Sequence, residues 1–296
     1  MSRDGLRVVV TGGKGFLGDY IVRTLTQTHE VEVTDRATLD VTDPSAVTRV
    51  LRRVRPDAVC HLAALCGAKA SEERPQEFFR VNAMGTVNLL EACRITGVRR
   101  FLLLSSLTVH GAGEEPMDEA SSYAPRHPYA ASKVAAEVMT KVYARCYGMA
   151  SIILRPTLVV GKGYREGHAI GDFVETVCRG GTIQIYGTGR HRRDFIHPDD
   201  VASAVEASLE RLRRADGSQS WTYNLSSGTP ISMAELAERV IALAGCGSMV
   251  FGPATSQAFS LFTKIDRACQ ELSWRPRRDI DGIIQSVLTK EPVPHG

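Results

Sequence analysis

The sequence predicts an α/β fold with a doubly wound parallel sheet and a smaller α/β C-terminal lobe. Short apolar runs alternate with amphipathic helical segments through the first half of the chain, which favours right-handed crossovers between parallel strands. Beyond about residue 160 this alternation loosens and glycines become frequent, which indicates a second lobe assembled from the later segments. We found no flexible linker between the two parts, so we expect them to pack tightly.

The expected strands share one pattern. Each is a short β-branched or leucine-rich run bounded by turn residues, which is typical of a strand buried on both faces of a parallel sheet. In chain order the runs lie at 6–10, 31–35, 56–62, 100–105 and 151–154.

The expected helices share a different pattern. Apolar residues recur at spacings of three and four, which buries one face of a helix. Pro128 suits the first turn of the longest of them, because a proline there loses no intrahelical hydrogen bond. In chain order the segments lie at 16–26, 45–54, 76–96, 128–147, 199–212, 232–244, 264–272 and 280–289.

Composition bounds the function. The chain has 296 residues with 43% hydrophobic and 23% charged residues, an ordinary globular profile, and its net charge of +3 gives no overall basic surface for nucleic acid. Its seven cysteines are scattered singly without metal-ligand spacing, so we expect reduced thiols and no metal site. No apolar run approaches the roughly 20 residues that span a bilayer and no signal-peptide pattern precedes the first strand, so we expect a cytoplasmic protein without a membrane partner.

A glycine-rich loop follows the first strand and predicts a dinucleotide site. Gly12, Gly15 and Gly18, with Phe16 and Leu17 between the last two, form a GxxGxxG pattern whose first gap is one residue longer than in GxGxxG. Such glycines allow a tight turn, close approach of a diphosphate to a helix N-terminus and close packing of helix on strand. The alternative is a bare strand–turn–helix corner, since glycine-rich turns are common.

An acidic residue follows the second strand. Asp35 stands where a carboxylate would accept the ribose hydroxyls of NAD, whereas the next residue, Arg36, would instead receive the 2′-phosphate of NADP. The alternative for Asp35 is an ordinary turn acid. After the third strand, Ala63 and Ala64 are small enough to let a cofactor lie against the backbone.

Three polar side chains carry the predicted chemistry. Tyr129 and Lys133 are four residues apart on one predicted helix, so they share a face, and an ammonium near a phenol lowers the pKa of the phenol. Ser106 follows the fourth strand, at the sheet edge where parallel sheets bind ligands. Each match alone has a plain alternative, a chance YxxxK or a helix cap. Their order after the glycine loop makes chance unlikely.

Together these motifs resemble the extended short-chain dehydrogenase/reductase family, in its NAD-dependent sugar-nucleotide epimerase, dehydratase and ketoreductase branch. The resemblance covers nearly the whole chain and rests on TGGKGFLG at 11–18, HLAA at 61–64, SSLTVHG at 105–111, YAASK at 129–133 and RDFIHPDD at 193–200. It implies a Rossmann-like dinucleotide-binding domain over 1–160, to which segments at roughly 190–215 return. It also implies that 161–296 form mainly the substrate-binding lobe.

The resemblance also implies site residues and partners. It implies Ser106, Tyr129 and Lys133 as the catalytic set. It implies NAD, with NADP as the alternative, held by Gly12, Gly15, Phe16, Leu17, Gly18, Asp35, Arg36, Asp40, Val41, Leu62, Ala63, Ala64, Asn82, Lys133 and Pro156. It implies a small-molecule substrate, a nucleotide sugar, contacted by Ser106, Leu107, Thr108, Tyr129 and Arg193. Many relatives form homodimers through a four-helix bundle, so we expect one here.

Departures from the family pattern narrow the reaction. Dehydratases of the family carry an Asp-Glu pair after the catalytic hydroxyl residue, because water elimination needs a further acid and base. Leu107 and Thr108 stand there in this chain, which leaves hydride transfer at carbon 4 of a nucleotide-activated hexose, as 4-epimerisation or reduction of a 4-ketosugar. His110 replaces a usual tyrosine, and we interpret it as a packed or hydrogen-bonded residue.

Two other functions stay open at this point. Leu158 replaces an asparagine that contacts the nucleotide diphosphate in relatives, which would suit an NAD(P)-dependent dehydrogenase of a non-nucleotide substrate. A non-catalytic dinucleotide-sensing protein on the same fold is the other alternative, since a fold does not establish a function. The presence of Ser106, Tyr129 and Lys133 together favours an enzyme.

Overall fold

The structure is a computed structural model that describes residues 5–113, 115–163, 169–254 and 259–289. Within them, six parallel strands form the main sheet in the order β10-β5-β4-β3-β1-β2. These strands are β1 Arg7–Thr11, β2 Glu30–Thr34, β3 Ala58–His61, β4 Arg100–Leu104, β5 Ala150–Pro156 and β10 Gln219–Leu225. The shorter strands are β6 Leu158–Val159, β7 Thr182–Tyr186, β8 Arg192–Arg193, β9 Phe195–Ile196, β11 Ile231–Ser232 and β12 Ser248–Gly252. They form two-stranded sheets that pair β6 with β9, β7 with β12 and β8 with β11.

Helices cover both faces of the main sheet. They are α1 Phe16–Leu25, α2 Pro44–Val54, α3 Ala68–Glu73, α4 Pro75–Phe78, α5 Gly85–Thr96, α6 Pro128–Tyr147, α7 Ala169–Cys178, α8 Pro198–Arg213, α9 Met233–Ala244, α10 Asp266–Glu271 and α11 Ile280–Leu288. A π-helix, Phe79–Met84, joins α4 to α5, and a 3₁₀ helix, Leu107–His110, follows β4. The described helices include none that is long and apolar enough to cross a membrane.

Alternate residues of β1 face opposite layers of the molecule. Val8 and Val10 pack in the apolar cluster that α1 and α8 cover, whereas Val9 packs in the cluster that α2 and α5 cover. Successive side chains of a strand point to opposite faces, so a run of valines can fill two cores at once. This arrangement confirms the predicted doubly wound parallel sheet.

A third apolar cluster builds the smaller lobe. It joins α7, α9 and α11 to β7, and Val177, Ile185, Leu236 and Ile284 are completely or almost completely buried in it. β12 pairs with β7 at the surface of this lobe. The division of the chain at residue 160 stays a prediction.

The later chain contributes more to the main sheet than the sequence pattern indicates. α8 packs on α1, within the expected return at roughly 190–215. The chain then adds β10 beside β5, with Gln219 opposite Ala150 and Leu225 opposite Pro156. The sequence analysis did not predict this strand, because its polar start, Gln219-Ser220, hides the apolar run that follows.

The helix expected over 76–96 is interrupted. The structure divides it into α4, the π-helix and α5, and Asn82 lies in the π-helix. A π-helix adds one residue per turn and is often found at functional sites. Hydrophobic periodicity does not reveal a single wide turn within a long helix.

Candidate active site

The glycine loop lies against the loop that follows β3. Gly12 has a φ of 72°, a left-handed conformation that favours glycine, and a Cβ on it would stand 2.7 Å from the backbone nitrogen of Ala63. A Cβ on Gly18 would collide with the carbonyl oxygen of Gly12. Both glycines are therefore required for the close packing of this loop. β1 and β3 meet here at the switch point of the strand order, where parallel sheets bind ligands.

The start of α1 suits a diphosphate. Gly15 is the N-cap of α1, and no side chain caps the first turn. A helix N-terminus presents backbone N–H groups and the positive end of the helix dipole, which together favour an anion. Phe16 and Leu17 begin the helix at this point. The loop and helix therefore fit the predicted diphosphate cradle of NAD.

A carboxylate marks the end of β2. The two oxygens of Asp35 are held separately, because Oδ1 accepts hydrogen bonds from the Thr38 N–H at 2.9 Å and hydroxyl at 2.8 Å, while Oδ2 lies 3.2 Å from Lys14 Nζ. These contacts, the hydroxyl hydrogen bond first among them, lower the pKa of Asp35 to about 2. Arg36 is exposed beside it. The group at this strand end is therefore a carboxylate at neutral pH.

The next two predicted cofactor contacts lie on the loop before α2. Asp40 Oδ1 accepts hydrogen bonds from the Thr42 N–H at 2.9 Å and hydroxyl at 2.8 Å, of which the first contributes most to lowering the Asp40 pKa. Val41 is buried, and a Cβ on Gly85 would stand 2.7 Å from its side chain. The loop is thereby held closely against the start of α5.

Asn82 ties two sides of the crevice together. Its Oδ1 accepts from Leu65 N–H at 2.8 Å, and its Nδ2 donates to the Leu65 carbonyl at 3.0 Å and to Ser132 Oγ at 3.0 Å. The predicted contacts Leu62, Ala63 and Ala64 lie in the same half-buried loop after β3. Asn82 therefore joins this loop to α6, and the position of Asn82 in the π-helix directs its side chain between them.

The start of α6 presents Tyr129. His127 is the N-cap, and Tyr129 is the second residue of the helix. The Tyr129 ring lies parallel to the His127 ring, with centroids 5.8 Å apart and planes 7° apart, and edge-on to Phe78 at 6.3 Å. The ring is half-buried, so its position is defined by aromatic neighbours while part of it faces solvent.

Lys133 lies one turn further along α6. It is buried, and its Nζ donates a 2.8 Å hydrogen bond to the carbonyl of Leu104, the last residue of β4. Burial lowers the pKa of Lys133, and the nearby Glu137 carboxylate opposes that shift. The spacing of four residues places Lys133 on the same helix face as Tyr129.

Ser106 lies at the same end of β4. It is the N-cap of the 3₁₀ helix, and its Oγ is 2.9 Å from Thr108 Oγ1 and accepts from Thr108 N–H at 3.3 Å. Leu107 points into an apolar cluster with Met117 and Leu261. Ser106 and Lys133 are therefore anchored at one strand end, while positions 107 and 108 supply no acid or base.

Arg193 lies on β8, outside the main sheet. Its guanidinium Cζ is 3.9 Å from the centroid of Phe259, and the guanidinium Cζ of Arg126 is 4.3 Å from the same centroid. Burial, together with the charge of Arg126, lowers the pKa of Arg193 to about 10. Phe259 packs against the cluster of Leu107, so two cations converge beside the Ser106 turn. Sequence analysis missed Arg126, since only the fold brings it to Arg193.

Sequence analysis also missed an ion pair behind the site. Glu137 and Arg155 are buried, with Arg155 Nη2 2.6 Å from Glu137 Oε2. Ser105 and Tyr123 donate further hydrogen bonds to the Glu137 carboxylate at 2.5 and 2.8 Å. An arginine within the apolar strand Ser151-Ile-Ile-Leu-Arg155 was a usable signal, because a buried cation needs a partner.

The other two departures from the family pattern, His110 and Leu158, lie close to β5. His110 is buried, with Nε2 2.9 Å from Arg155 Nη1 and Nδ1 3.1 Å from the Ser122 carbonyl, so it is packed and hydrogen-bonded. Burial lowers its pKa, which keeps it neutral. Pro156 is the buried last residue of β5, and Leu158 lies partly exposed on β6 opposite Phe195.

Comparisons with known proteins agree with this geometry. Residues 8–226 match the model of a family described as the NAD dependent epimerase/dehydratase family. A UDP-glucose 4-epimerase of Azospirillum brasilense is 30% identical, and the alignment covers 96% of this chain and 92% of that protein. A dTDP-glucose 4,6-dehydratase of Streptomyces niveus is 31% identical, with coverage of 95% and 92%.

Solved structures show the same similarity. The crystal structure of a UDP-glucose 4-epimerase of Thermus thermophilus, in complex with NAD, superimposes with a TM-score of 0.82 at 30% identity. The superposition covers 95% of this chain and 97% of that one. The similarity therefore extends over both the main sheet and the smaller lobe.

Proposed function

This chain belongs to the NAD-dependent epimerase/dehydratase family, and we propose that it is a nucleotide-sugar 4-epimerase. Membership identifies an NAD-dependent enzyme of the extended short-chain dehydrogenase/reductase type that acts on sugar nucleotides. The choice of 4-epimerisation within that family is our proposal. The relatives named UDP-glucose 4-epimerase make UDP-hexoses the first substrates to test.

One observation carries the choice of reaction. Ser106, Leu107 and Thr108 form the turn that would face the sugar, and Leu107 is buried while Thr108 is bonded to Ser106. Elimination of water needs an acid and a base beyond the tyrosine, and this turn offers neither. A reaction that requires only hydride transfer and one proton carrier fits these residues.

Each of the three proposed catalytic residues has one task. Tyr129 would take the proton from the hydroxyl on carbon 4 and return it later, because its ring stands at the open start of α6. Lys133 would stabilise the tyrosinate by its charge, held in place through the Leu104 carbonyl. Ser106 would hydrogen-bond the same sugar oxygen. NAD, when bound, supplies the acceptor and donor of the hydride.

The proposed NAD site uses the crevice at the switch point. Gly12, Gly15 and Gly18 with the start of α1 would hold the diphosphate. Asp35 would accept the adenosine ribose hydroxyls, and an ionised carboxylate there would repel a 2′-phosphate, which favours NAD over NADP. The other expected contacts lie in the loops after β2 and β3, in the π-helix, on α6 and at the end of β5.

Arg193 is the proposed contact to the diphosphate of the substrate. Its partly buried guanidinium, with Arg126 on the same ring, supports a site for a dianionic group beside the Ser106 turn. Leu158 cannot hydrogen-bond a diphosphate, so the arginines would carry that recognition. This arrangement supports a nucleotide sugar over a neutral substrate.

We also propose that the enzyme is a cytoplasmic homodimer. Apolar side chains stand exposed on α5 and α6, with Ile95 48%, Val138 43% and Tyr147 41% exposed. Two such helices from each subunit would form a four-helix bundle that buries these side chains. Sedimentation equilibrium of the wild type and of the Val138→Glu variant would test the interface.

The decisive experiment measures turnover without added cofactor. Purified enzyme is mixed with UDP-galactose or UDP-glucose, and the product is identified by anion-exchange chromatography. An epimerase converts many equivalents of substrate, because NAD is reduced and reoxidised within one cycle. Bound dinucleotide released by denaturation should be NAD.

A parallel assay defines the contrary outcome. A nucleotide-activated 4-ketosugar is supplied with NADH, and NADH absorbance is followed. If each turnover consumes one NADH and no epimer forms without it, the enzyme is a 4-ketoreductase and the proposal of epimerisation is wrong.

A further inference from the structure

We propose that His127 positions Tyr129 for proton transfer, and that it does so only while its imidazole is neutral. The proposal rests on the proposed role of Tyr129 as the acid and base. His127 would not touch the substrate in this role. It would act through the first turn of α6.

The hydrogen bond of His127 determines its tautomer. Its Nδ1 accepts a 3.1 Å hydrogen bond from the backbone N–H of Ala130, the N3 residue of α6. A ring nitrogen accepts only with a free lone pair, so Nδ1 carries no proton and the hydrogen of the neutral ring is on Nε2. The cap therefore exists in one protonation state of the histidine.

The same imidazole orients the Tyr129 ring. The His127 and Tyr129 rings are parallel, with planes 7° apart and centroids 5.8 Å apart. Phe78 also contacts the Tyr129 ring, edge-on, with centroids 6.3 Å apart. His127 is the N-cap and Tyr129 the second helical residue, so one side chain fixes both the backbone turn and the neighbouring ring. A displacement of His127 therefore displaces Tyr129.

Protonation would undo both effects. A proton on Nδ1 faces the Ala130 N–H, so the hydrogen bond is replaced by repulsion between two donors. A cation at a helix N-terminus also opposes the helix dipole. We therefore expect acid to loosen the first turn of α6 and to move Tyr129 away from its working position.

Burial of His127 favours the neutral form of its imidazole. Burial lowers its pKa, Glu72 on α3 acts in the opposite direction, and the adjoining Arg126 lowers it further. The cap is thus complete above the ordinary histidine pKa of about 6.5 and is lost as the pH falls through the lower value in the folded protein. Tyr129 is a further titratable group in contact with the ring.

The chain contains a matched control for this cap. His197 is the N-cap of α8, is likewise followed by a proline, and its Nδ1 accepts from Asp199 N–H at 3.2 Å. Its ring stands edge-on to Tyr20 of α1, with centroids 6.0 Å apart, so its ring contact is to α1 and not to α6. His197→Asn therefore changes a histidine cap without touching Tyr129.

The experiment compares four holoenzymes, the wild type, H127A, H127N and H197N, by kcat and KM from about pH 5.5 to 8. H127A should lose roughly fivefold in kcat at neutral pH, the equivalent of one lost cap, and H127N should restore most of it, because asparagine also accepts at an N-cap. On acidification the kcat of the wild type should fall more steeply than that of H127N. The acid limb of the wild type should include the uptake of one additional proton, by His127. H197N should follow the wild type.

Three kinetic outcomes would overturn the proposal. Either H127A keeps the kcat of the wild type, or H127N shows the same acid limb as the wild type. A loss that appears in KM alone would also contradict positioning of the proton carrier, because kcat would then be unaffected.

A substrate-free measurement separates this proposal from the proposed function. The near-ultraviolet circular dichroism of each protein minus that of its Y129F counterpart reports the surroundings of the Tyr129 ring. We expect this difference to change on acidification with His127 present and to stay constant with H127N. A constant signal in both would overturn the positioning, even if no nucleotide sugar were turned over. Absence of turnover with a changing signal would instead contradict only the proposed function.

Discussion

The first and third turns of α6 have opposite designs. Tyr129 in the first turn is half-buried and is held by its ring contacts to His127 and Phe78. Glu137, two turns later, is completely buried and is held by a network of hydrogen bonds to Arg155, Ser105 and Tyr123. The difference indicates that the helix is fixed in its middle, while the proposed catalytic tyrosine lies at its open end.

The hydrogen bonds of this network offset the desolvation of the buried Glu137–Arg155 ion pair. Burial alone would raise the pKa of Glu137, but the hydrogen bonds and charge of Arg155 more than offset it, so the pKa of Glu137 is lowered. A buried pair stabilises only when its remaining hydrogen-bonding groups are satisfied, as Ser105 and Tyr123 do for the carboxylate. We therefore expect changes in the third turn to affect folding and changes in the first turn to affect catalysis.

Tyr129→Phe is the sharpest test of the first turn. Loss of the phenol oxygen should lower kcat roughly 10²- to 10⁴-fold, the usual contribution of a general acid and base. The free energy of unfolding should change by no more than about 1 kcal/mol, because the ring is kept and only one hydroxyl is lost. Steady-state turnover and urea denaturation measure the two. A variant that unfolds readily would contradict the separation of roles.

Glu137→Gln tests the third turn. It leaves Arg155 as a buried cation without its counter-ion, so the free energy of unfolding should fall by about 3–5 kcal/mol. Turnover of the folded fraction should fall far less than in Tyr129→Phe, because Glu137 acts on the proposed site only through the pKa of Lys133. Glu175→Gln on α7 is the control, since its exposed pair with Arg179 should contribute little. Equal losses in both variants would show that the buried network has no special role.

Asn82→Ala should affect both properties at once. Asn82 joins the loop after β3 to Ser132, and Ser132 donates to the carbonyl of Tyr129 at 2.7 Å. Loss of its buried hydrogen bonds should lower the free energy of unfolding by about 1–3 kcal/mol and lower kcat as well. Asn224→Ala, which removes a buried hydrogen bond to Thr263 Oγ1, is the control and should spare kcat. An unchanged kcat in Asn82→Ala would show that the hydrogen bonds from Asn82 through Ser132 do not affect the position of Tyr129.

Acid should reduce the difference in the free energy of unfolding between the wild type and Glu137→Gln. The pKa of Glu137 is lowered in the folded protein, so its stabilisation is complete above the ordinary glutamate pKa of about 4.3 and is lost as the pH falls through the lower folded value. Denaturation at about pH 7 and pH 4 should show a smaller difference at the lower pH. If the difference in the free energy of unfolding grew as the pH fell, the ionised carboxylate of Glu137 would not be the stabilising form.

Several parts of the site were predictable because their signals are local in sequence. The glycines at 12, 15 and 18 are required by backbone geometry within one turn, and Tyr129 and Lys133 share a helix face through their spacing alone. Apolar periodicity likewise placed the five predicted strands of the main sheet and the long helix α6. The roles of the predicted site residues stay proposals until the variants are measured.

Other parts depend on contacts between distant segments. The ring of Phe259 brings Arg126 to Arg193, and Glu137 meets Arg155 across the face of the main sheet. β10 joins the sheet beside β5 although its polar start gave no strand pattern.

The sequence by itself thus determined the parallel sheet, the glycine loop and the helix that carries Tyr129, since backbone requirements and hydrophobic periodicity act over a few residues. Only the tertiary structure decided which charges are buried together and what surrounds Tyr129. Contacts such as Glu137 with Arg155, or Phe78 with Tyr129, join residues that are far apart in sequence and form only when the chain folds.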